Sequence, residues 1–261
     1  MADDPKTVLV AGGTYGIGRG IVMELAGRGW RVVAFGLSER QPGSAAEGGV
    51  EGTRAALAEA GLDGQVLEGD IADEADVARA VAAALTATGR IEALVNNAAI
   101  RPTGTVVETP PDDFDRVLAV NLKGPYLTSR AVIPHMAEAG GGAIVNIGSG
   151  SGWGKARSAA YCASKGGVFA LSAAMAYDHL EDGIRVNTVV PGPQTQSGIV
   201  EAMAARGPVP RVLTASGRQT QPRDIAAAVA FLLSDEAVQI SGTVIDVGAF
   251  AHQGGVGQPR G

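Results

Sequence analysis

Short apolar runs alternate with longer amphipathic stretches along almost the whole chain. Runs rich in Val, Ile and Leu fall at Thr7–Ala11, Arg31–Phe35, Gln65–Glu68, Ala93–Asn96, Ala143–Ile147, Ile184–Val190 and Thr243–Val247. Their length and β-branched content suit buried strands. Between them, apolar residues recur at helical spacing near Arg19–Gly27, Gly52–Ala60, Asp73–Thr88, Asp112–Ala139, Ser158–Leu180 and Arg223–Leu233. This alternation predicts an α/β, doubly wound fold, an about seven-stranded parallel sheet with helices on both faces and right-handed crossovers. Ligands of such sheets bind beyond the carboxyl ends of the strands. Gly12, Asn96, Ser149 and Pro191 fall there.

Two segments depart from the pattern. Ser38–Val50, after the second strand, is rich in Gly, Ser and Pro. Pro193–Gln221 carries Ile199, Val200, Met203, Val209, Val212 and Leu213, too apolar for a plain linker. It is expected to form a lid over a substrate, with an oligomer contact as the alternative. The tail Ala251–Gly261 is mostly Gly, Gln and Pro and is expected to be poorly ordered. No internal repeat and no compositional break divides the 261 residues, so a single domain over 1–261 is expected.

Composition narrows the partners. With 27 acidic and 21 basic residues the net charge is −6, which argues against nucleic acid or an anionic membrane as partner. One cysteine, Cys162, excludes an internal disulfide and suits a reducing cytoplasm. Met1–Lys6 is polar and acidic, unlike a signal peptide. No apolar run approaches the ~18 residues of a membrane span. His135, His179 and His252 lie far apart without metal-ligand spacing, so no metal is expected.

The chemistry concentrates in a few places. After the first strand the chain reads Gly12-Gly13-Thr14-Tyr15-Gly16-Ile17-Gly18 and then becomes helical. Glycines at 12, 16 and 18 let the backbone approach a diphosphate, and the helix N-terminus offers N–H donors and the positive end of its dipole. Tyr161 and Lys165 stand four apart on one helix face. A free tyrosine ionises near pH ~10 and is a poor base at neutrality. A cation ~4 Å from the phenol contributes roughly 4 kcal/mol at an effective dielectric of ~20, or about three pKa units, so Lys165 is expected to make Tyr161 a usable acid or base. Ser149 follows the fifth strand and could stabilise charge on a substrate oxygen, with Ser151 as its competitor.

Gly12-x-x-x-Gly16-Ile17-Gly18, Asn96-Asn97-Ala98-Ala99, Asn121, Ser149, Tyr161-x-x-x-Lys165 and Pro191-Gly192 occur in this order. The set resembles the short-chain dehydrogenase/reductases in their short single-domain branch, from about Thr7 to Val247. The resemblance implies a Rossmann-type fold and an NAD(P)-dependent oxidoreductase that interconverts a secondary alcohol and a ketone. A small-molecule alcohol or ketone would be its substrate; a non-catalytic cofactor-binding regulator is the alternative. It implies a catalytic set of Asn121, Ser149, Tyr161 and Lys165. Lys165 would also hold the nicotinamide ribose, and Asn121 would interrupt its helix and join Lys165 through a water. The cofactor would lie along Gly12, Thr14, Tyr15, Gly16, Ile17, Gly18, Asp70, Ile71, Asn97, Ala98, Tyr161, Lys165, Pro191 and Gly192, with Asp70 near the adenine. Thr195 lies close to the position that usually holds the carboxamide, which Gln196 occupies.

Cofactor choice turns on the end of the second strand. Gly36 stands where an NAD-preferring site places a carboxylate. Ser38 and Arg40 could then bind a 2′-phosphate. Against this, Tyr15 stands where a basic residue is common in NADP enzymes of the family, and Glu39 could be a displaced ribose acceptor. NADP(H) is expected over NAD(H). Ser149, Ser151, Trp153 and Tyr161 are the candidate substrate-binding residues. Arg101 could meet an acidic substrate but reads more readily as a solvated loop arginine. The helices Asp112–Ala139 and Ser158–Leu180 carry Ala131, Val132, Met136, Phe169, Leu171, Met175 and Tyr177, more apolar residues than one sheet face needs. The resemblance implies that such helices pair into a homodimer or homotetramer.

Overall fold

The structure is a computed structural model that describes residues 5–38, 48–192, 195, 197, 199–200, 214 and 216–248. Arg40, Glu39, Gln196, most of the expected lid and the tail 251–261 lie outside the described residues.

Seven parallel strands form one sheet, β1 (Thr7–Ala11), β2 (Arg31–Gly36), β3 (Gly64–Glu68), β4 (Ala93–Asn96), β5 (Gly142–Ile147), β6 (Ile184–Pro191) and β7 (Val244–Val247). Their spatial order is β3-β2-β1-β4-β5-β6-β7. The order reverses between β1 and β4, which pair Val8↔Ala93 through Ala11↔Asn96. A crevice opens at such a switch point, at the carboxyl ends of the strands.

The helices are α1 (Gly16–Gly27), α2 (Gly49–Glu59), α3 (Glu74–Thr88), α4 (Pro111–Leu118), α5 (Gly124–Glu138), α6 (Ala159–Asp178) and α7 (Pro222–Leu233). β1 shows why its apolar run is continuous. Val8 and Val10 face a core shared with Ile21, Leu25, Ile225 and Val229 of α1 and α7. Leu9 and Ala11 face a second core with Val77, Leu127, Met136 and Met175 of α3, α5 and α6. Side chains alternate faces along a strand, so covering both faces requires apolar residues at every position. Helix ends follow local chemistry. Asp73 caps α3 by accepting from the Ala75 and Asp76 N–H groups at 2.8 and 3.0 Å, and Gly89 in the left-handed region ends it.

The resemblance implied that Asn121 interrupts the Asp112–Ala139 helix, and a π-helical turn, Ala119–Lys123, does separate α4 from α5 around it. Of the surplus apolar residues, Val132, Met136 and Met175 are buried within the chain itself, because α5 and α6 are flush with the sheet. Tyr177 is exposed, and Leu171 lines the surface between these helices with Leu118, Leu122 and Tyr126, around a groove of about 610 Å³. Among the described residues no helix is long and apolar enough to cross a membrane, and no cluster of three His, Cys, Asp or Glu could hold a metal ion.

Candidate active site

The β1–α1 turn is packed so closely that its glycines have no substitute. Gly12 has φ +77°, and a Cβ there would lie 2.5 Å from the Ala98 backbone nitrogen. A Cβ on Gly18 would lie 1.9 Å from the Gly12 carbonyl oxygen. Asn97, at the end of β4, donates its side-chain amide to that carbonyl at 2.8 Å and pins the turn to the crevice wall. α1 begins here without a side-chain cap and without an acidic residue in its first turn, unlike α3. The turn and helix end therefore fit a diphosphate, and with it a nicotinamide dinucleotide. Thr14 is buried, its hydroxyl donating to the Leu37 carbonyl at 3.3 Å, and Tyr15 reaches the Ser38 carbonyl at 2.7 Å. Ile17 turns its side chain into the core beside α7.

Farther along the crevice, the Asp70 carboxylate accepts from the Ala72 N–H at 2.9 Å and pairs with Arg116 at 2.8 Å. The Ile71 side chain is part of the core beneath Gly124. The structure thus gives Ile71 a packing role, and its side chain does not line the crevice. At the far side, Pro191 closes β6, and the Thr195 hydroxyl donates to the Gly192 carbonyl at 2.8 Å.

The catalytic candidates gather where β4, β5 and α6 meet. Ser149 leaves β5 and starts the 3₁₀ turn Gly150–Trp153, its hydroxyl accepting from the Ser151 N–H at 3.2 Å. It also lies close enough to the Tyr161 phenol to pull its pKa down. Ser151 stands behind Ser149 as its backbone donor. The chain between Ser149 and Tyr161 is tight. Arg157 has φ +54°, the left-handed region, and Gly104 and Ser158 pair as an isolated bridge. Trp153 lays its ring on Phe169 at 4.6 Å and is otherwise 45% exposed.

Tyr161 and Lys165 are both buried on one face of α6. The Lys165 ammonium donates to the Ile147 carbonyl at 2.6 Å, and burial holds its pKa down at about 8. Burial pushes the Tyr161 phenol up; the Ser149 hydrogen bond and then the charge of Arg101 pull it down, while Cys162 adds to the rise. The expected tuning cation was Lys165, whose ammonium lies 6.0 Å from the Tyr161 ring centroid. The charge of Arg101, whose guanidinium lies over the same ring at 5.2 Å, offsets part of the rise, and the phenol still stands above its ordinary value. Arg101 is thus no solvated loop residue, and sequence spacing carried no sign of the contact. The reason is topological: Arg101 follows β4, and the sheet brings that strand end against α6.

Asn121 sits in the π turn, fully buried. Its carboxamide oxygen accepts from the Ile100 N–H at 2.8 Å, and its nitrogen donates to the Ile100 carbonyl at 2.9 Å and to Ser164 at 3.0 Å. The expected tie to Lys165 is not a side-chain contact. Asn121 instead fixes the strand-end loop that bears Arg101 to the helix that bears Tyr161. Ser164 and Ile100 take part in this network and were not among the sequence candidates.

A family model described as enoyl-(acyl carrier protein) reductase matches residues 11–249. D-threitol dehydrogenase of Mycolicibacterium smegmatis is 38% identical over 252 residues, 94% of this chain and 93% of that protein. 2-(S)-hydroxypropyl-CoM dehydrogenase 3 of Xanthobacter autotrophicus is 34% identical over 258 residues, 96% of each. A crystal structure of an actinorhodin polyketide ketoreductase variant with NADPH superposes with a TM-score of 0.83, at 28% identity, over 94% of this chain and 96% of that one. The chain belongs to the short-chain dehydrogenase/reductase family. It is an NAD(P)-dependent oxidoreductase acting on CH–OH groups.

Proposed function

We propose that the chain interconverts a secondary alcohol and a ketone, with Tyr161 as the acid/base. The observation that carries this reading is that Tyr161 and Lys165 are buried one turn apart on the same helix face, with Ser149 close enough to the phenol to pull its pKa down. The nicotinamide cofactor, when bound, supplies or accepts the hydride. Gly12, Gly16 and Gly18 with the α1 N-terminus would hold its diphosphate, and Asn97, Ala98, Pro191 and Gly192 would line its path.

In reduction, the Tyr161 hydroxyl gives its proton to the carbonyl oxygen while the Ser149 hydroxyl donates a hydrogen bond to the same atom. In oxidation, Tyr161 takes the alcohol proton. Burial keeps the phenol protonated, which suits the reductive direction. Asn121 positions the groups around it without touching substrate. NADP(H) is favoured over NAD(H), supported by a β2 end that carries no carboxylate at Gly36 and has Ser38 beside it. Assembly as a homodimer or homotetramer is supported by the apolar groove between α4, α5 and α6. The single cysteine supports a cytoplasmic location.

Tyr161→Phe keeps the ring that packs under Arg101 and removes the proton-transfer group. Turnover of a ketone should fall ~10²-fold or more, with cofactor binding measured by fluorescence little changed. Retention of more than about a tenth of wild-type turnover would remove Tyr161 from the role.

A further inference from the structure

Three positive features meet beside the acid/base. The Arg101 guanidinium covers the Tyr161 ring at 5.2 Å and donates to the Ser158 hydroxyl at 3.0 Å. Ser158 is the residue on which α6 begins, and the first turn of α6 has neither a side-chain cap nor an acidic residue. The Ala159 N–H donates to the Gly104 carbonyl at 3.2 Å, and the positive end of the helix dipole points at the same place. Lys155 is tied in through its carbonyl, which accepts from Cys162 at 3.6 Å, one residue past Tyr161. Burial, and then the charge of Arg101, push the Lys155 ammonium down, so the two cations stand close enough to oppose each other. Arg157, the next cation along, is engaged elsewhere, with Glu108 at 3.1 Å.

We propose that Arg101, with Lys155 and the α6 N-terminus, binds an anionic substituent of the substrate, making this enzyme selective for a ketone or alcohol that carries a carboxylate or another oxyanion a few bonds from the reacting carbon. The inference rests on the oxidoreductase reading above. Arg101 follows β4 and reaches over the ring whose hydroxyl touches the reacting oxygen. An anion bound there holds the carbonyl against Ser149 and Tyr161 from one side. A guanidinium suits this task because its planar edge offers paired N–H donors to a carboxylate while its face stacks on an aromatic ring. A neutral ketone gains nothing from the two cations. An anionic one also relieves their mutual repulsion.

The competing account is that Arg101 acts only on the Tyr161 phenol. The two accounts separate on matched pairs of substrates, keto acids with the carboxylate two to four carbons from the ketone and their methyl esters. Binding is measured first, by titration calorimetry with oxidised NADP or NAD at saturation, because a ketone and an oxidised cofactor cannot react. The keto acid should bind wild type about 10-fold or more tightly than its ester, and Arg101→Gln should abolish that difference while leaving the ester's affinity in place. Arg101→Lys, which keeps the charge and loses the planar edge, should restore part of it. Thermal melting of each variant checks that it is folded. Turnover with the reduced cofactor is measured separately. Equal binding of acid and ester to wild type, or an Arg101→Gln effect identical on both, overturns the proposal while leaving the oxidoreductase reading intact. Selective binding of the acid without turnover of any ketone upholds the anion site and overturns the reaction assigned to it.

Discussion

The Lys165 ammonium is buried and donates to the Ile147 carbonyl, and its pKa stands at about 8 against an ordinary 10.5. Between those two values the unfolded chain holds a proton that the folded chain lacks. Stability from this group therefore rises with pH across that window, and falls as pH drops through about 8. Lys165→Met removes the dependence. The stability of wild type relative to Lys165→Met should grow by on the order of 2–3 kcal/mol between about pH 7 and about pH 10.5, read by urea denaturation. A difference that stays flat over this range would mean that a counter-charge or solvent already compensates the ammonium. The same residue scale explains Tyr161, where burial raises the phenol and Ser149 and Arg101 lower it. Burial outweighs the two lowering influences, so the phenol stands above its ordinary value and holds its proton, as proton donation in reduction requires.

At the scale of elements, two local departures from regularity shape the site. The π turn at Ala119–Lys123 lets Asn121 hydrogen-bond both the N–H and the carbonyl of Ile100, which a straight helix would leave to another partner. The second is the close contact between the β1–α1 turn and the end of β2. A Cβ on Gly36 would lie 2.6 Å from the Thr14 hydroxyl oxygen, and Thr14 is only 2% exposed and cannot swing away. Gly36→Asp alone should therefore lower stability by about 1–3 kcal/mol. Combined with Thr14→Ala, it should recover the fold. The double variant should also shift kcat/KM by about 10-fold toward NADH, because the carboxylate adds a ribose acceptor and repels a 2′-phosphate. Paired kinetics of wild type and the double variant with both cofactors checks this. A wild type that already prefers NADH would contradict the NADP(H) reading.

At the scale of the molecule, the buried positions of Val132, Met136 and Met175 move the expected subunit contact outward, to Leu118, Leu122, Tyr126 and Leu171. Tyr126 is 47% exposed at the edge of this groove. Covering such a face by a two-fold copy of itself is the common route to a closed oligomer. Light scattering at micromolar concentration should give two or four times the monomer mass. Tyr126→Glu should reduce it toward one, with little change in the helical circular dichroism, since the residue is half exposed on the helix surface. A monomeric wild type would refute this assembly.

The sequence by itself determined what is periodic and local. Continuous apolar runs meant strands covered on both faces, the helical spacing of Tyr161 and Lys165 placed both on one buried face, and the clustered glycines marked the turn that α1 follows. These depend on residues within a few positions of one another, so spacing reveals them. The tertiary structure alone decided which distant groups meet. Arg101 reached Tyr161, Asn121 reached Ile100 and Ser164, and Ile71 turned into the core. Those contacts join the end of β4, the π turn and α6, which come together only because the sheet order reverses beside β1. Burial, and with it the direction in which Tyr161 and Lys165 shift, is likewise a property of the packed whole. Composition can require that a lysine be buried or exposed at some cost, but only the surrounding atoms set how much water it loses.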